Sequence, residues 1–462
     1  MTLIKSISGI RGTIGNEPGN NLTPPDIVMF VSSFAEWTKK QAQSKNNYKM
    51  VIGRDARPSG NMVEQIATGT LIGMGFEVVN LGLASTPTVE IAVTEENADG
   101  GIIITASHNP VEWNALKLLN NQGEFLNDTE GNEVLEIAEN NQIQYSQINN
   151  IGKTEEKEYL KKHIDKILSL PLVNTQKIAK ANFTIAVDGI NSVGGIAIPE
   201  LLKRLGISNI VKINCEPTGQ FAHNPEPLPE NLTGIIEAVK NNHADLGIVV
   251  DPDVDRLAFV DENGKMFGEE YTIVAVSDYI LQKKEGNTVS NLSSTKALKE
   301  LTEKYGRKYT PSAVGEVNVI EKMKETNAVI GGEGNGGVIY PALHYGRDAL
   351  VGVALFLTYL AESEMKCSDL RAKYPNYHIS KNKIQLDENT NIEKILMSLQ
   401  EKYTEYPLNT EDGLKIEFPE GWVHLRKSNT EPIIRVYSEG DSPEVTEKLS
   451  AKIIHDAKSL SS

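Results

Sequence analysis

The chain has 462 residues, and because single hydrophobic cores stop growing near roughly 250–300 residues, three or four domains are expected. Hydrophobic residues make up 39% and charged residues 23%, which excludes a disordered or fibrous protein, and no apolar run approaches the ~18 residues that cross a bilayer. A formal net charge of −16 excludes the dense basic face that nucleic acid or an anionic membrane requires, so cations for an anionic ligand must be gathered locally.

The opening "MTLIKSISGIRG" carries Lys5 and Arg11 where a signal peptide is uninterruptedly apolar, which argues against secretion. Cys215 and Cys367 lie far apart, which argues against a disulfide framework and for the cytoplasm. Within "SGIRG", Arg11 stands between glycines, in backbone able to approach a ligand closely.

A strand, helix, glycine, strand pattern then recurs three times. The first copy runs from "MVIGRD" through "MVEQIATGTLIGMG" to "FEVVNLG", with Met62, Val63, Ile66, Thr70 and Met74 at helical spacing. The second runs from "FTIAVDG" through "AIPELLKRLG" to "ISNIVKIN", the third from "TVSNLSS" through "KALKELTEKYG" to "RKYTP". Gly75, Gly206 and Gly306 fall where helix C-caps are expected. Each copy reads as a βαβ unit.

After the first copy comes "GIIITASHNP". A buried strand ends in a loop where Asn109 and Pro110 stop further extension, which should present Ser107 rather than bury it. A hydrolase triad does not fit: an adjacent His108 usually points away from the hydroxyl, and no G-x-S-x-G elbow exists. The helix in "EKEYLKKHIDKILSLP", closed by Pro171, opens the second domain.

In "LGIVVDPDVDRLAFVD", Asp251, Asp253 and Asp255 sit between two strand-like runs. Three close carboxylates repel one another unless a cation neutralises them, and an all-oxygen set suits Mg²⁺ or Ca²⁺. An EF-hand fails although Glu262 holds the twelfth position, because Arg256 replaces the required glycine and the flanks are strands. In "GGEGNGG" a dinucleotide pattern is formally met, but Pro341 leaves no room for the helix; what remains is a tight turn offering Glu333 and Asn335 to sugar hydroxyls.

Beyond about residue 372 short alternating strands and a closing helix describe a smaller α+β domain. Its "LRKSNTEPIIRVY" concentrates Arg426, Lys427, Ser428, Asn429, Thr430 and Arg435, donors that suit a phosphate dianion. A charged hairpin on a solvated face is the bland alternative.

A serine, an acidic loop, a hydroxyl-reading turn and a phosphate clasp imply phosphoryl transfer to a sugar phosphate, without the P-loop of a nucleotide donor. With "SGIRG", "TASHNP", "DPDVDR", "GEGNGG" and "RKSNTEPIIR" in order, the sequence resembles the α-D-phosphohexomutase family over nearly its whole length. The resemblance implies three similar mixed α/β domains and a smaller α+β C-terminal domain around a central cleft, which we bound at 1–152, 153–256, 257–372 and 373–462. It implies a phosphoserine at Ser107, and one Mg²⁺ on Asp251, Asp253, Asp255 and an oxygen of that phosphate. It places Arg11, His108, Lys117 and Arg256 in the cleft, with Lys117 or Arg11 assisting proton transfer. Glu333 and Asn335 would bind the sugar; Arg426, Ser428, Asn429, Thr430 and Arg435 would bind the distal phosphate.

Two departures stand out. Asn335 and Gly337 replace a serine and a histidine that many members carry, with His344 as a nearby substitute for the histidine, and Ala115 stands where glycine is usual. The expected reaction interconverts hexose 1- and 6-phosphates through a bisphosphorylated sugar, with a hexose bisphosphate as activator. Glucosamine phosphate is the favoured substrate, with mannose or glucose phosphates as alternatives. A non-catalytic phosphosugar-binding protein and a calcium-binding structural protein are the rivals. A monomer or homodimer is expected, with a small phosphosugar as its partner.

Overall fold

A computed structural model describes residues 2–6, 9–42, 47–226, 228–385, 391–427 and 433–461. Each of the three repeats is more than a βαβ unit. Four strands share one topology: the first pairs in parallel with the second and third, and the fourth folds back antiparallel on the third. These are Tyr48–Arg54, Phe76–Leu83, Gly100–Ile104 and Trp113–Leu119 in the first domain; Thr184–Asp188, Asn209–Ile213, Leu246–Val250 and Leu257–Asp261 in the second; and Asn287–Asn291, Tyr309–Ser312, Ala328–Glu333 and Gly337–Ile339 in the third.

The helices Gly60–Gly73, Gly194–Arg204 and Ala297–Lys304 cross from first strand to second in the three units. Each is followed by the expected glycine in a left-handed conformation, with φ of 89° at Gly75, 90° at Gly206 and 66° at Gly306, a region closed to most side chains. The first sheet adds Ile4–Ser6 and Gly9–Thr13 on one edge and Lys153–Glu156 on the other.

The strands just past the expected boundaries at 152 and 256 belong to the preceding sheets. Lys153–Glu156 pairs with Phe76–Leu83, and Leu257–Asp261 pairs with Leu246–Val250. A hairpin whose turn carries three buried aspartates keeps both of its strands in one sheet.

The second and third domains share one apolar core, whereas the first and last have their own. Helix Ala349–Ser363 runs through the shared core with every residue from Ala349 to Ala361 buried. Its run "ALVGVALFLTYLA" is apolar on nearly all sides, the pattern of a core helix rather than a surface one. Phe356 stacks on Phe259 at 3.9 Å between centroids and meets Phe267 edge-on.

The last domain is an antiparallel sheet of His378–Gln385, Ile433–Gly440, Gly421–Lys427, Leu414–Phe418 and Leu408–Asn409, in that spatial order, with helices Ile392–Lys402 and Pro443–Ser461. It docks on the third domain through Val314 N–H to Asp412 Oδ2 at 3.0 Å, Lys415 Nζ to the Leu292 carbonyl at 2.7 Å and Ser293 Oγ to His424 Nδ1 at 2.8 Å. No described helix is long and apolar enough to cross a membrane.

Candidate active site

The turn joining third strand to fourth is the same point in all three repeats. In the first domain it carries Ser107, in the second Asp251, Asp253 and Asp255, and in the third Asn335, with Glu333 closing the strand before it. One topology therefore delivers three different chemistries to adjoining loops.

Ser107 has φ of 47°, a left-handed conformation uncommon outside glycine and costly unless its surroundings impose it. Arg57 imposes it. This guanidinium, fully buried, donates to the carbonyls of Ser107 at 2.6 Å, Asn109 at 2.7 Å, Pro110 at 2.6 Å and Trp113 at 3.0 Å, and its Nε donates to Asp55 Oδ2 at 3.0 Å. Ser107 is 8% exposed, not presented as expected, because the acidic loop closes over it. Its Oγ donates to Asp251 Oδ2 at 3.0 Å, while His108 Nδ1 lies 3.5 Å away, too far for a strong bond. Burial, then Arg256, pushes the His108 ring down to about 3, so it is neutral near pH 7.

The three aspartates are fully buried, and a ligand oxygen from each lies within 4.8 Å of the others. Val254 between them has φ of 64°, strained for a β-branched residue. Burial and the two neighbouring carboxylates raise Asp251 well above the usual range. Burial alone would raise Asp255 too, but Arg347, Lys117 and Arg256 outweigh it and hold Asp255 low. Lys117 Nζ reaches Asp253 Oδ2 at 2.8 Å and Asp255 Oδ2 at 3.7 Å. Those contacts overcome the lowering effect of burial and keep the ammonium charged.

Lys117, Arg256 and Arg347 balance the three carboxylates in number, yet Asp253 Oδ1 and Asp255 Oδ1 remain buried without a hydrogen-bond partner. Orphaned carboxylate oxygens converging with a serine hydroxyl fit an oxygen-loving divalent cation. The EF-hand alternative is excluded by the flanking antiparallel strands, and Glu262 instead accepts from Ser368.

The loops are tied to one another. Thr86 Oγ1 donates to Asp253 Oδ2 at 2.6 Å, linking the first domain to the acidic turn. Leu257 N–H donates to the Gly336 carbonyl at 3.1 Å, and Ala349 N–H to the Val254 carbonyl at 3.2 Å. Gly336 has φ of 86°, and a Cβ there would overlap the Leu257 backbone. The turn between Ala328–Glu333 and Gly337–Ile339 is a hairpin, which rules out a dinucleotide fold at this point.

Glu333 is buried, accepting from Asn291 Nδ2 at 2.7 Å and from Arg347 Nη1 at 2.8 Å. Half-buried Asn335 accepts from Gly337 N–H at 3.1 Å. His344 sits 3.3 Å from Asp348 Oδ2 and 3.4 Å from Glu90 Oε2, tied to the cap of helix Ala349–Ser363.

Arg11 pairs in register with Ala115, and its Nε is buried without a partner. Its pKa is lowered by burial and then by Arg435, which comes from the last domain. Arg435 is opposite Arg426 on the neighbouring strand, and Arg426 pairs with Asp412 at 3.1 Å. Ser428, Asn429 and Thr430 lie outside the described residues.

Arg57 and Arg347 escaped the reading of the sequence. The only local signal for Arg57 is its place in "RDARPS", just after the first strand, where the equivalent loops carry Ser192 and Ser294. Ser192 Oγ donates to the Pro252 carbonyl at 2.7 Å and Ser294 Oγ accepts from Gly334 N–H at 3.0 Å. In every repeat the first-strand loop braces the third-strand loop.

Models of the phosphoglucomutase/phosphomannomutase α/β/α domains I, II and III match residues 3–144, 161–264 and 268–377, and that of the C-terminal domain matches 382–455. The chain is 35% identical over 456 residues to a phosphoglucomutase/phosphomannomutase of Thermococcus kodakarensis, covering 97% of this chain and 98% of the relative. The chain belongs to the α-D-phosphohexomutase family. This phosphohexomutase is also 32% identical to a phosphoglucosamine/phosphogalactosamine mutase of Sulfurisphaera tokodaii, over 96% of each chain. Its fold matches that of a phosphoglucomutase/phosphomannomutase family protein from Burkholderia thailandensis with a TM-score of 0.85 at 23% identity, over 99% of this chain and 98% of the other. An N-acetylphosphoglucosamine mutase of Aspergillus fumigatus, solved with GlcNAc-6P and magnesium, matches with a TM-score of 0.60 at 14% identity, over 93% and 96%. The phosphohexomutase is thus an intramolecular phosphotransferase of the isomerase class.

Proposed function

We propose that the enzyme interconverts glucosamine 6-phosphate and glucosamine 1-phosphate through a phosphoserine at Ser107. The observation that carries the serine's role is its hydroxyl, 3.0 Å from Asp251 beside two orphaned carboxylate oxygens. A sugar hydroxyl attacks the phosphorus on Ser107; the P–Oγ bond breaks with its electron pair passing to Oγ, and the proton that the hydroxyl loses replaces the one Lys117 delivers to Oγ. The bisphosphorylated sugar then turns over, and its other phosphate returns to Ser107. A hexose bisphosphate primes the enzyme.

Asp251, Asp253 and Asp255 would hold Mg²⁺, which supplies Lewis-acid neutralisation of the phosphoryl oxygens. Lys117, kept charged by Asp253 and Asp255, is suited to donate a proton to the departing serine oxygen and to neutralise charge on the moving group. Arg256 lines the same site; neutral His108 contributes no charge. Arg11, whose pKa burial and then the Arg435 cation of the last domain lower, would form with Arg435, Arg426, Ser428, Asn429 and Thr430 the seat for the distal phosphate. Glu333 and Asn335 read the hexose hydroxyls.

The choice of glucosamine is supported by the phosphoglucosamine relatives and the "GEGNGG" turn. A panel of glucosamine, mannose and glucose 1-phosphates, started with catalytic hexose bisphosphate, tests it. The highest kcat/KM is expected for glucosamine 1-phosphate; a higher value for either neutral hexose overturns the assignment.

A further inference from the structure

Arg347 belongs to none of the motifs, yet its side chain is only 10% exposed and all three guanidinium nitrogens engage carboxylates on separate elements. Nε donates to Glu316 Oε2 at 3.0 Å, Nη1 to Glu333 Oε2 at 2.8 Å and Nη2 to Asp255 Oδ2 at 2.6 Å. Its backbone N–H adds a bond to Glu316 Oε1 at 2.8 Å. Glu333 belongs to the hexose-reading turn, Asp255 to the acidic turn, and Glu316 opens helix Glu316–Thr326 beneath them.

Room for this side chain comes from Gly337. A Cβ at that position would overlap the Arg347 Cδ and crowd its Cγ, and the bridge between Ile339 and Arg347 fixes the backbone from which the arginine enters. The arginine thus fills the volume that a side chain at 337 would need. A planar guanidinium can hold several carboxylates in fixed directions where an ammonium cannot.

We infer that Arg347 is a positioning residue coupling the hexose-reading turn to the cation-binding turn, its fork shared between Glu333 and Asp255. A cation at Asp255 competes with Nη2 for that carboxylate, leaving Arg347 committed to Glu333 and holding Glu333 in the sugar-reading position. By linkage a sugar bound at Glu333 favours the cation equally. This rests on the mutase reading of the site.

Calorimetric titration of Mg²⁺ into the unphosphorylated full chain, with and without glucosamine 6-phosphate, measures the coupling without turnover. In Arg347→Met the factor by which sugar phosphate strengthens Mg²⁺ binding is expected to fall at least three-fold. Arg347→Lys, which keeps the charge without the fork, should melt near the wild type and still lose much of the factor. Gly337→Ala should reproduce the loss by displacing the arginine, and the double variant Gly337→Ala with Arg347→Met should be no worse than either alone. Wild-type coupling in either Arg347 variant, or additive losses in the double variant, would overturn the inference. Absence of mutase turnover in the wild type would refute the proposed function while leaving this comparison readable.

Discussion

Ser107 sits in a backbone conformation that its own side chain disfavours, and what holds it there is a buried arginine fifty positions earlier. Arg57 caps four loop carbonyls and pairs with Asp55. Arg57→Met is therefore expected to cost about 3–5 kcal/mol, because it strands the Asp55 carboxylate in the core. It should also lower kcat roughly 10²-fold as the serine drifts from line with its attacker. Melting and steady-state kinetics together check this; a variant that melts lower yet turns over normally would show that the brace is structural only. Beyond its place just after the first strand, nothing near Arg57 in the sequence signals such a role, since the four carbonyls it caps lie 50 to 56 positions away. The Ser107, aspartate and Glu333 turns were legible because each breaks an apolar strand with residues that strands disfavour.

Among the elements, the repeated strands and crossing helices were legible from periodicity and from glycines at helix ends. Helix Ala349–Ser363 was not, because a segment buried on every side has no polar face to set its period. The fourth strand of each repeat was also missed as a member of the sheet, since pairing is fixed by partners and not by local pattern. The docking of strand Gly421–Lys427 on the third domain was likewise out of reach. His424 on that strand touches Ser293 and the Asp412 carbonyl. Burial, followed by the Lys415 and Arg426 cations, pushes the ring down to about 4. Unfolded chain takes up the proton near pH 6.5, so the unfolded state binds more protons below that value. Stability from this contact is complete above about pH 6.5 and is lost as pH falls towards 4. Between pH 7 and 5 the wild type should lose melting temperature more steeply than His424→Asn; equal slopes would assign the acid sensitivity elsewhere.

At the scale of the molecule, three copies of one topology deliver three different loops to one place, and the acidic loop stands between the other two. It takes Ser107, Lys117 and Thr86 from the first domain and Arg347 from the third. Burial and then the Arg435 cation of the fourth domain lower the Arg11 pKa, so an enzyme with a net charge of −16 still gathers cations locally, as the proposed function requires. The second and third domains share one core, and hydrogen bonds tie the first domain to the acidic loop and the last domain to the third. The proposed mechanism requires Ser107 to carry the phosphoryl group during the cycle. Peptide mass mapping of active enzyme, after priming with a hexose bisphosphate and rapid acid quenching, tests that directly. A phosphate on the peptide containing Ser107, discharged when excess hexose 1-phosphate is added, is the expected result. Active enzyme whose Ser107 peptide stays unmodified throughout turnover, or a Ser107→Ala variant with wild-type turnover, would contradict it.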